Sequence, residues 1–208
     1  MYNDFLIKTI EDMLSIHSSI EKKWIEYLRK EQIETKNFNS LKVYKIFEDE
    51  SILGYIRKYI NFINKQAVLI TACFDYKIID RTRVKDSLSI EQKVYAYCCK
   101  PERGRIKIHK CLNDLFGVRI VLNDTFDCES LLQSLRKNFP EKVIITNSSK
   151  PDGYKAIHVY TPAMNGHFKW ELQIWDRESY ALNISLHESH KRQYLTDLKE
   201  AAQAEKGK

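Results

Sequence analysis

The 208-residue sequence has no C-x-x-C pair, and its five cysteines (Cys73, Cys98, Cys99, Cys111, Cys128) are odd in number. That count and spacing argue against a disulfide framework or a thiolate zinc site and fit reduced, buried thiols. Glycine is scarce, with six residues, and nowhere forms G-x-G-x-x-G or a Walker loop. The usual phosphate-cradling folds are therefore disfavoured. The longest uncharged apolar run, Ala67 to Phe74, is far shorter than the roughly 20 residues that cross a bilayer, and Met1 leads into an acidic amphipathic segment instead of a signal peptide. A cytoplasmic protein without a membrane segment is expected. There is no internal repeat and no linker, so residues 1–208 are expected to be one domain.

Charge is plentiful. A formal excess of +6 and a pI near 8.9 favour polyanionic partners such as nucleotides, RNA or an acidic protein. Residues 1–75 read as a helical N-terminal part. Leu6, Ile10, Met13, Leu14, Ile20, Trp24 and Leu28 recur at three- and four-residue steps, which predicts an amphipathic helix to about Glu34. Its polar side carries Lys22, Lys23, Arg29 and Lys30, either a solvated face or a docking surface for a phosphate backbone. Ile52, Ile56, Ile60 and Ile63 mark a second helix.

From Tyr76 the texture turns β-rich, and residues 76–191 read as the core. Ser89 is placed as the cap of a helix through Lys93 to Cys99. The almost wholly apolar Leu115–Leu122 is expected to be a central strand with Arg119 its single charge. A helix follows over 126–138, then strands at Val143–Thr146, Ile157–Thr161 and Phe168–Trp175 around a turn at Asn165-Gly166, then a last helix. Residues 192–208 are expected to be a fraying tail. The pattern predicts an α+β fold, a five-stranded antiparallel or mixed sheet flanked by helices.

Four signals carry chemistry. Arg81, Arg83, Lys85 and Lys93 straddle a strand-to-helix junction with Ser89, where side chains and a helix N-terminus grip a polyphosphate or are simply solvated. Asp114 stands at the mouth of the apolar strand, facing a cleft or capping a turn. Glu171 and Gln173 alternate with Leu172 and Ile174, and an unpaired carboxylate in such a strand is costly unless it binds a cation or hydrogen-bond donors. Gly153-Tyr154-Lys155 before His158 offers a loop, an aromatic ring and phosphate contacts. His187 and His190 are one residue short of H-E-x-x-H, so metal binding there is not expected.

In order and spacing these signals resemble the RelA/SpoT alarmone synthetases. The family's R-x-K-x-x-x-S-x-x-x-K is met by Arg83, Lys85, Ser89 and Lys93, its D-I-x-G-I-R-I by DLFGVRI, its G-Y-R-S-L-H by GYKAIH and its E-I-Q-I-R-T by ELQIWD, within about Arg81 to Lys191. The resemblance implies a nucleotidyltransferase-like fold and a synthetase-only member, without the hydrolase domain. It implies transfer of the β,γ-pyrophosphate of ATP to a ribose 3′-hydroxyl, with AMP leaving. Asp114 and Glu171 would be catalytic and hold Mg²⁺; Arg81, Arg83, Lys85, Ser89 and Lys93 would bind ATP; Tyr154, Lys155, His158 and Gln173 would meet the acceptor. Two departures matter. Trp175 replaces the arginine of E-I-Q-I-R-T unless Arg177 substitutes, and the oligomerising C-terminal helices of housekeeping members are not seen, so a monomer is expected. Together with the basic helix face they favour the 3′-terminal adenosine of tRNA as acceptor, as toxic members use. Lys22, Lys23, Arg29 and Lys30 would dock the tRNA, and an antitoxin would neutralise the enzyme. The alternatives are alarmone synthesis from guanosine or adenosine nucleotides, and an inactive nucleotide- or RNA-binding module.

Overall fold

A computed structural model describes residues 2–74, 79–162, 166–189, 192 and 196. The first helix, α1 (Tyr2–Lys30), buries Leu6, Ile10, Met13, Trp24 and Leu28, the row its spacing predicts. It stops short of Glu34 because Gln32 adopts a φ of 53° and the Ile33 N–H turns back to the Leu28 carbonyl at 2.9 Å. A left-handed residue closes a helix in this way. A short α2 (Lys45–Glu48) leads into α3 (Glu50–Ala72), capped by the Asp49 carboxylate on the Ser51 N–H. α3 continues through the apolar run that begins at Ala67. The Trp24 indole N–H donates to the Tyr55 hydroxyl and the Gly166 carbonyl, both at 3.1 Å, and so fastens both helices to the turn before the last strand. Asn165 of the expected Asn165-Gly166 turn, His190 and the tail beyond 196 lie outside the described residues.

Five strands follow: β1 (Ile79–Val84), β2 (Phe116–Leu122), β3 (Ile144–Asn147), β4 (Ile157–Tyr160) and β5 (Trp170–Asp176), in the order β1-β2-β5-β4-β3. β2 and β5 are parallel and the other pairs antiparallel, so the sheet is mixed. A parallel pair needs a long crossover, here α6 (Cys128–Asn138), β3 and β4. β2 is an interior strand as its apolar run predicts, but β5, buried at every position, holds the centre. α4 (Ser87–Cys99) and α5 (Ile108–Cys111) connect β1 to β2. The cap of α4 is Asp86, not Ser89: its carboxylate accepts from the Ser89 N–H at 2.8 Å and the Ser89 hydroxyl at 2.7 Å.

Strand alternation gives the sheet two unlike faces. Val118, Ile120, Ile157, Val159, Leu172 and Ile174 share one buried cluster with the apolar rows of α1, α3 and α6. On the other face the register sets polar residues in two rows. Arg83, Gly117, Glu171 and Tyr160 lie across one row, and Arg81, Arg119, Gln173 and His158 across the next. A helix over 180–189 covers one end of this polar face, packing Tyr180, Ile184 and Leu186 on Val121, Tyr154, Ala156 and Trp175.

Candidate active site

Glu171 is 6% exposed, and every donor it needs comes from its own or the adjoining strand. The Tyr160 hydroxyl donates to it at 2.9 Å, the Gln173 amide at 2.8 Å, and His158 Nδ1 stands 3.1 Å away. Burial alone raises a carboxyl pKa, but the hydrogen bond and charge of His158 and the Tyr160 hydroxyl outweigh it, and Glu171 sits below the ordinary carboxylate value. Gln173 relays this network outward: its side-chain oxygen accepts from Arg119 Nε and Nη2, both at 3.2 Å. The Arg119 guanidinium lies 3.7 Å over the Trp175 ring and 3.7 Å from Asp80, to which the Tyr180 hydroxyl donates at 3.1 Å.

The second carboxylate sits at the turn into β2. Asp114 accepts from Lys93 Nζ at 3.0 Å, is paired with Lys85, and has Arg83 at 3.7 Å. Burial opposes its ionisation, yet the charges of Lys93 and Lys85 more than offset burial and push its pKa far below the usual range. Its charge acts on both Glu171 and Tyr160. Beside Glu171 lies a concavity lined by Arg81, Arg83, Gly117, Val118, Arg119, Glu171 and Gln173, and Asp114 adjoins it through Arg83. A Cβ at Gly117 would approach only the Glu171 carbonyl, at 3.9 Å, so the glycine keeps the floor open.

Arg81, Arg83, Lys85, Lys93, Asp114, His158, Glu171 and Gln173 are thus brought together. Three of the expected site residues are engaged within the fold. Ser89 is engaged with Asp86 at the start of α4. Tyr154 is 6% exposed, with its ring edge-on to Trp175 and its hydroxyl 3.1 Å from His158, so it offers no open face for a base. Lys155 points away from the site: its ammonium is 2.6 Å from Asp176, a fully buried carboxylate that needs a counter-charge, and its backbone is held by Asn183. Arg177 is exposed beyond the strand end and does not replace the missing arginine; Arg119, stacked on Trp175, is the cation there. Lys22, Lys23, Arg29 and Lys30 are exposed on α1, whose apolar row packs on the sheet face opposite Glu171.

Sequence reasoning assigned no role to Arg119 or Tyr160, and gave His187 a phosphate-binding or structural one. The parity of β2 and β4 puts Arg119 and Tyr160 on the face of Glu171 and His158, and that signal was legible. His187 comes from the helix over 180–189; burial, then Arg119 and Arg83, lower its pKa to about 4.

Two ionised carboxylates beside an open concavity fit Mg²⁺, which takes one or two protein carboxylates and fills its remaining positions with phosphate and water. Among the described residues there is no group of three His, Cys, Asp or Glu that could hold a metal ion.

Solved structures that match the chain include small alarmone synthetase 2 from Bacillus subtilis, 22% identical over 74% of this chain and 90% of that one, with a TM-score of 0.34. Small alarmone synthetase 1 from the same organism, bound to its product pppGpp, is 18% identical over 89% of this chain and 94% of that one, also with a TM-score of 0.34. No curated protein matches the chain. Residues 82–194, which hold both carboxylates and both polar rows apart from Arg81, match the region found in RelA/SpoT proteins, so the chain belongs to the RelA/SpoT family and is a pyrophosphotransferase of its synthetase type.

Proposed function

We propose that the protein transfers the β,γ-diphosphate of ATP to the 3′-hydroxyl of the terminal adenosine of tRNA. The acceptor oxygen forms a bond to the β-phosphorus, the bond from that phosphorus to the α,β-bridging oxygen breaks, and AMP leaves with that oxygen. Arg81, Arg83, Lys85 and Lys93 bind the triphosphate and neutralise the charge that moves onto AMP. Glu171 receives the hydroxyl proton, held in position by Tyr160, Gln173 and His158. Asp114 and Glu171 would hold Mg²⁺, which when bound supplies further neutralisation of the phosphates. An inactive binding module is disfavoured, because both carboxylates are kept ionised beside the concavity.

The observation that carries the tRNA acceptor is the wall at Trp175. Where the family has an arginine, this chain has a fully buried indole packed with Tyr154 and Tyr180 and covered by Arg119. Arg119 is then the cation on that wall, where the family motif would add a second; a guanosine di- or triphosphate calls for both on its own phosphates, and an RNA 3′ end brings one phosphodiester. Modified tRNA cannot be aminoacylated at that hydroxyl, so expression should arrest growth unless a neutralising partner with an acidic surface is present. The test supplies ATP labelled on its γ-phosphate with deacylated tRNA and GDP together. Label in tRNA is expected, and label confined to a guanosine nucleotide would give the reaction to alarmone synthesis.

A further inference from the structure

The most one-sided positive stretch of the described chain leaves the C-terminal end of α4. Residues 100–110, KPERGRIKIHK, set Lys100, Arg103, Arg105, Lys107 and Lys110 against the single acid Glu102. α1 sets Lys8, Lys22, Lys23, Arg29 and Lys30 against Asp4, Glu11, Asp12, Glu21 and Glu26, so its charges cancel along its length.

The basic segment is held in a defined shape. The Val43 N–H donates to the Ile106 carbonyl at 2.9 Å, the Ile108 N–H to Leu41 at 3.0 Å and the Tyr44 N–H to Gly104 at 3.1 Å. Two short antiparallel stretches result, bridged at Lys42 and Lys107. Gly104 takes a φ of 69° in a seat where a Cβ would meet the Cys98 sulfur at 2.6 Å, which leaves Arg103 and Arg105 exposed on either side of a buried pivot. Lys42, Tyr44, Arg103 and Arg105 line an open groove of about 610 Å³. Among the described residues no carboxylate forms an ion pair with Lys42, Lys100, Arg103, Arg105, Lys107 or Lys110. The segment is joined to the site through α4, which carries Lys93 at the site and ends at Lys100. Tyr97 feels the charges of Lys93 and Asp114, and the Lys100 ammonium lies 4.0 Å over the Tyr97 ring. At the rise of a helix, Lys100 is about 10 Å along from Lys93.

We propose that the groove formed by residue 42, Tyr44 and residues 100–110 is the docking surface for the phosphate backbone of the RNA acceptor, in place of the basic residues of α1. The proposal rests on the tRNA reading above. Cations without a carboxylate partner among the described residues release the counterions of a polyanion at least cost, and Tyr44 offers an aromatic ring to an unstacked base.

The test is filter binding of deacylated tRNA to the full chain, without ATP, across a series of salt concentrations. An R103E/R105E variant is expected to bind at least tenfold more weakly at about 0.1 M salt, with a log–log salt slope smaller by about two. R103Q/R105Q should fall between it and the wild type, and K22E/K23E should stay within twofold of the wild type. Circular dichroism melts confirm that each variant is folded; should the Glu pair fail to fold, the Gln pair decides. Unchanged binding by the groove variants, or an equal loss in K22E/K23E, overturns the proposal, as does competition by polyglutamate but not by RNA. Groove-dependent tRNA binding with label transfer only to GDP upholds the groove and removes the acceptor reading. Labelling of tRNA by R103E/R105E at the wild-type rate does the reverse.

Discussion

The two faces of β5 divide the protein's labour within seven residues. Trp170, Leu172 and Ile174 are each fully buried in the cluster shared with α1 and α3, where the one side-chain hydrogen bond among them runs from the Trp170 indole N–H to the Tyr59 hydroxyl at 3.1 Å. Glu171, Gln173 and Trp175 on the other side are buried almost as deeply, yet they bind Tyr160, His158 and Arg119. Equal burial therefore has two meanings. The first face gains from excluding water, whereas the second holds polar groups that burial would penalise if their partners were absent. Substitutions on the first face should lower stability and spare activity per folded molecule, and those on the second should do the opposite.

Glu171→Gln should show the largest contrast. Diphosphate transfer is expected to fall by about a hundredfold or more, while the Tm stays close to wild type because the amide fills the same space. An unchanged rate would remove Glu171 from the chemistry. Asp114→Asn should lose activity comparably and also lose about 3 kcal/mol of stability, since it leaves Lys85, Lys93 and Arg83 crowded without their anion. Because the folded-state pKa of Asp114 is depressed, its contribution is complete above the unfolded value of about 4 and is lost as pH falls below it. The Asn variant should therefore unfold in acid with a shallower pH dependence. Retained activity together with a large stability loss would make Asp114 structural only.

On the apolar face, Leu172→Ala should cost about 2–5 kcal/mol in denaturant unfolding, with the rate per folded molecule unaltered. A comparable loss of rate would show that the two faces are coupled through the strand. Arg119→Lys should be milder. It keeps the charge but gives up the paired bonds to Gln173 and the planar stack on Trp175, and a rate drop of about tenfold is expected. A drop in rate without a change in the ATP KM would place Arg119 on the acceptor side.

Much of this division was legible in the sequence. Period-two alternation in WELQIWD and the apolar run of β2 located both faces, and motif spacing brought Asp114, Arg83, Lys85 and Lys93 to one place. What could not be read depends on contacts between distant segments. Lys155 looks like a phosphate ligand until Asp176, twenty-one residues on, is seen to be buried against it. Tyr154 looks like an open ring until the helix over 180–189 closes over it with Ile184 and Leu186. Ser89 looks like a cap because the better cap, Asp86, stands three residues before it. Which face of the sheet the cations of α1 accompany is also a long-range matter, because a sequence does not state which face of a sheet a helix covers.

His187 gives the smallest and most selective test of the polar face. Burial, then the guanidinium groups of Arg119 and Arg83, lower its pKa from 6.5 to about 4. Between those two values the unfolded chain takes up a proton that the folded chain refuses. Stability should therefore be constant above about pH 6.5, fall as pH drops toward about 4, and level off below that as far as this group is concerned. The ring is partly open to solvent, so screening reduces the effect to the order of 1 kcal/mol, or about 2–4 °C in Tm for a chain of this size. His187→Gln should remove that increment, so that its Tm difference between pH 7.5 and 5 is smaller than that of the wild type. Leu172→Ala should keep the wild-type difference while melting lower at both pH values. Identical pH profiles for wild type and His187→Gln would mean that the ring does not face the arginines, and the helix over 180–189 would then be a cover for Trp175 alone.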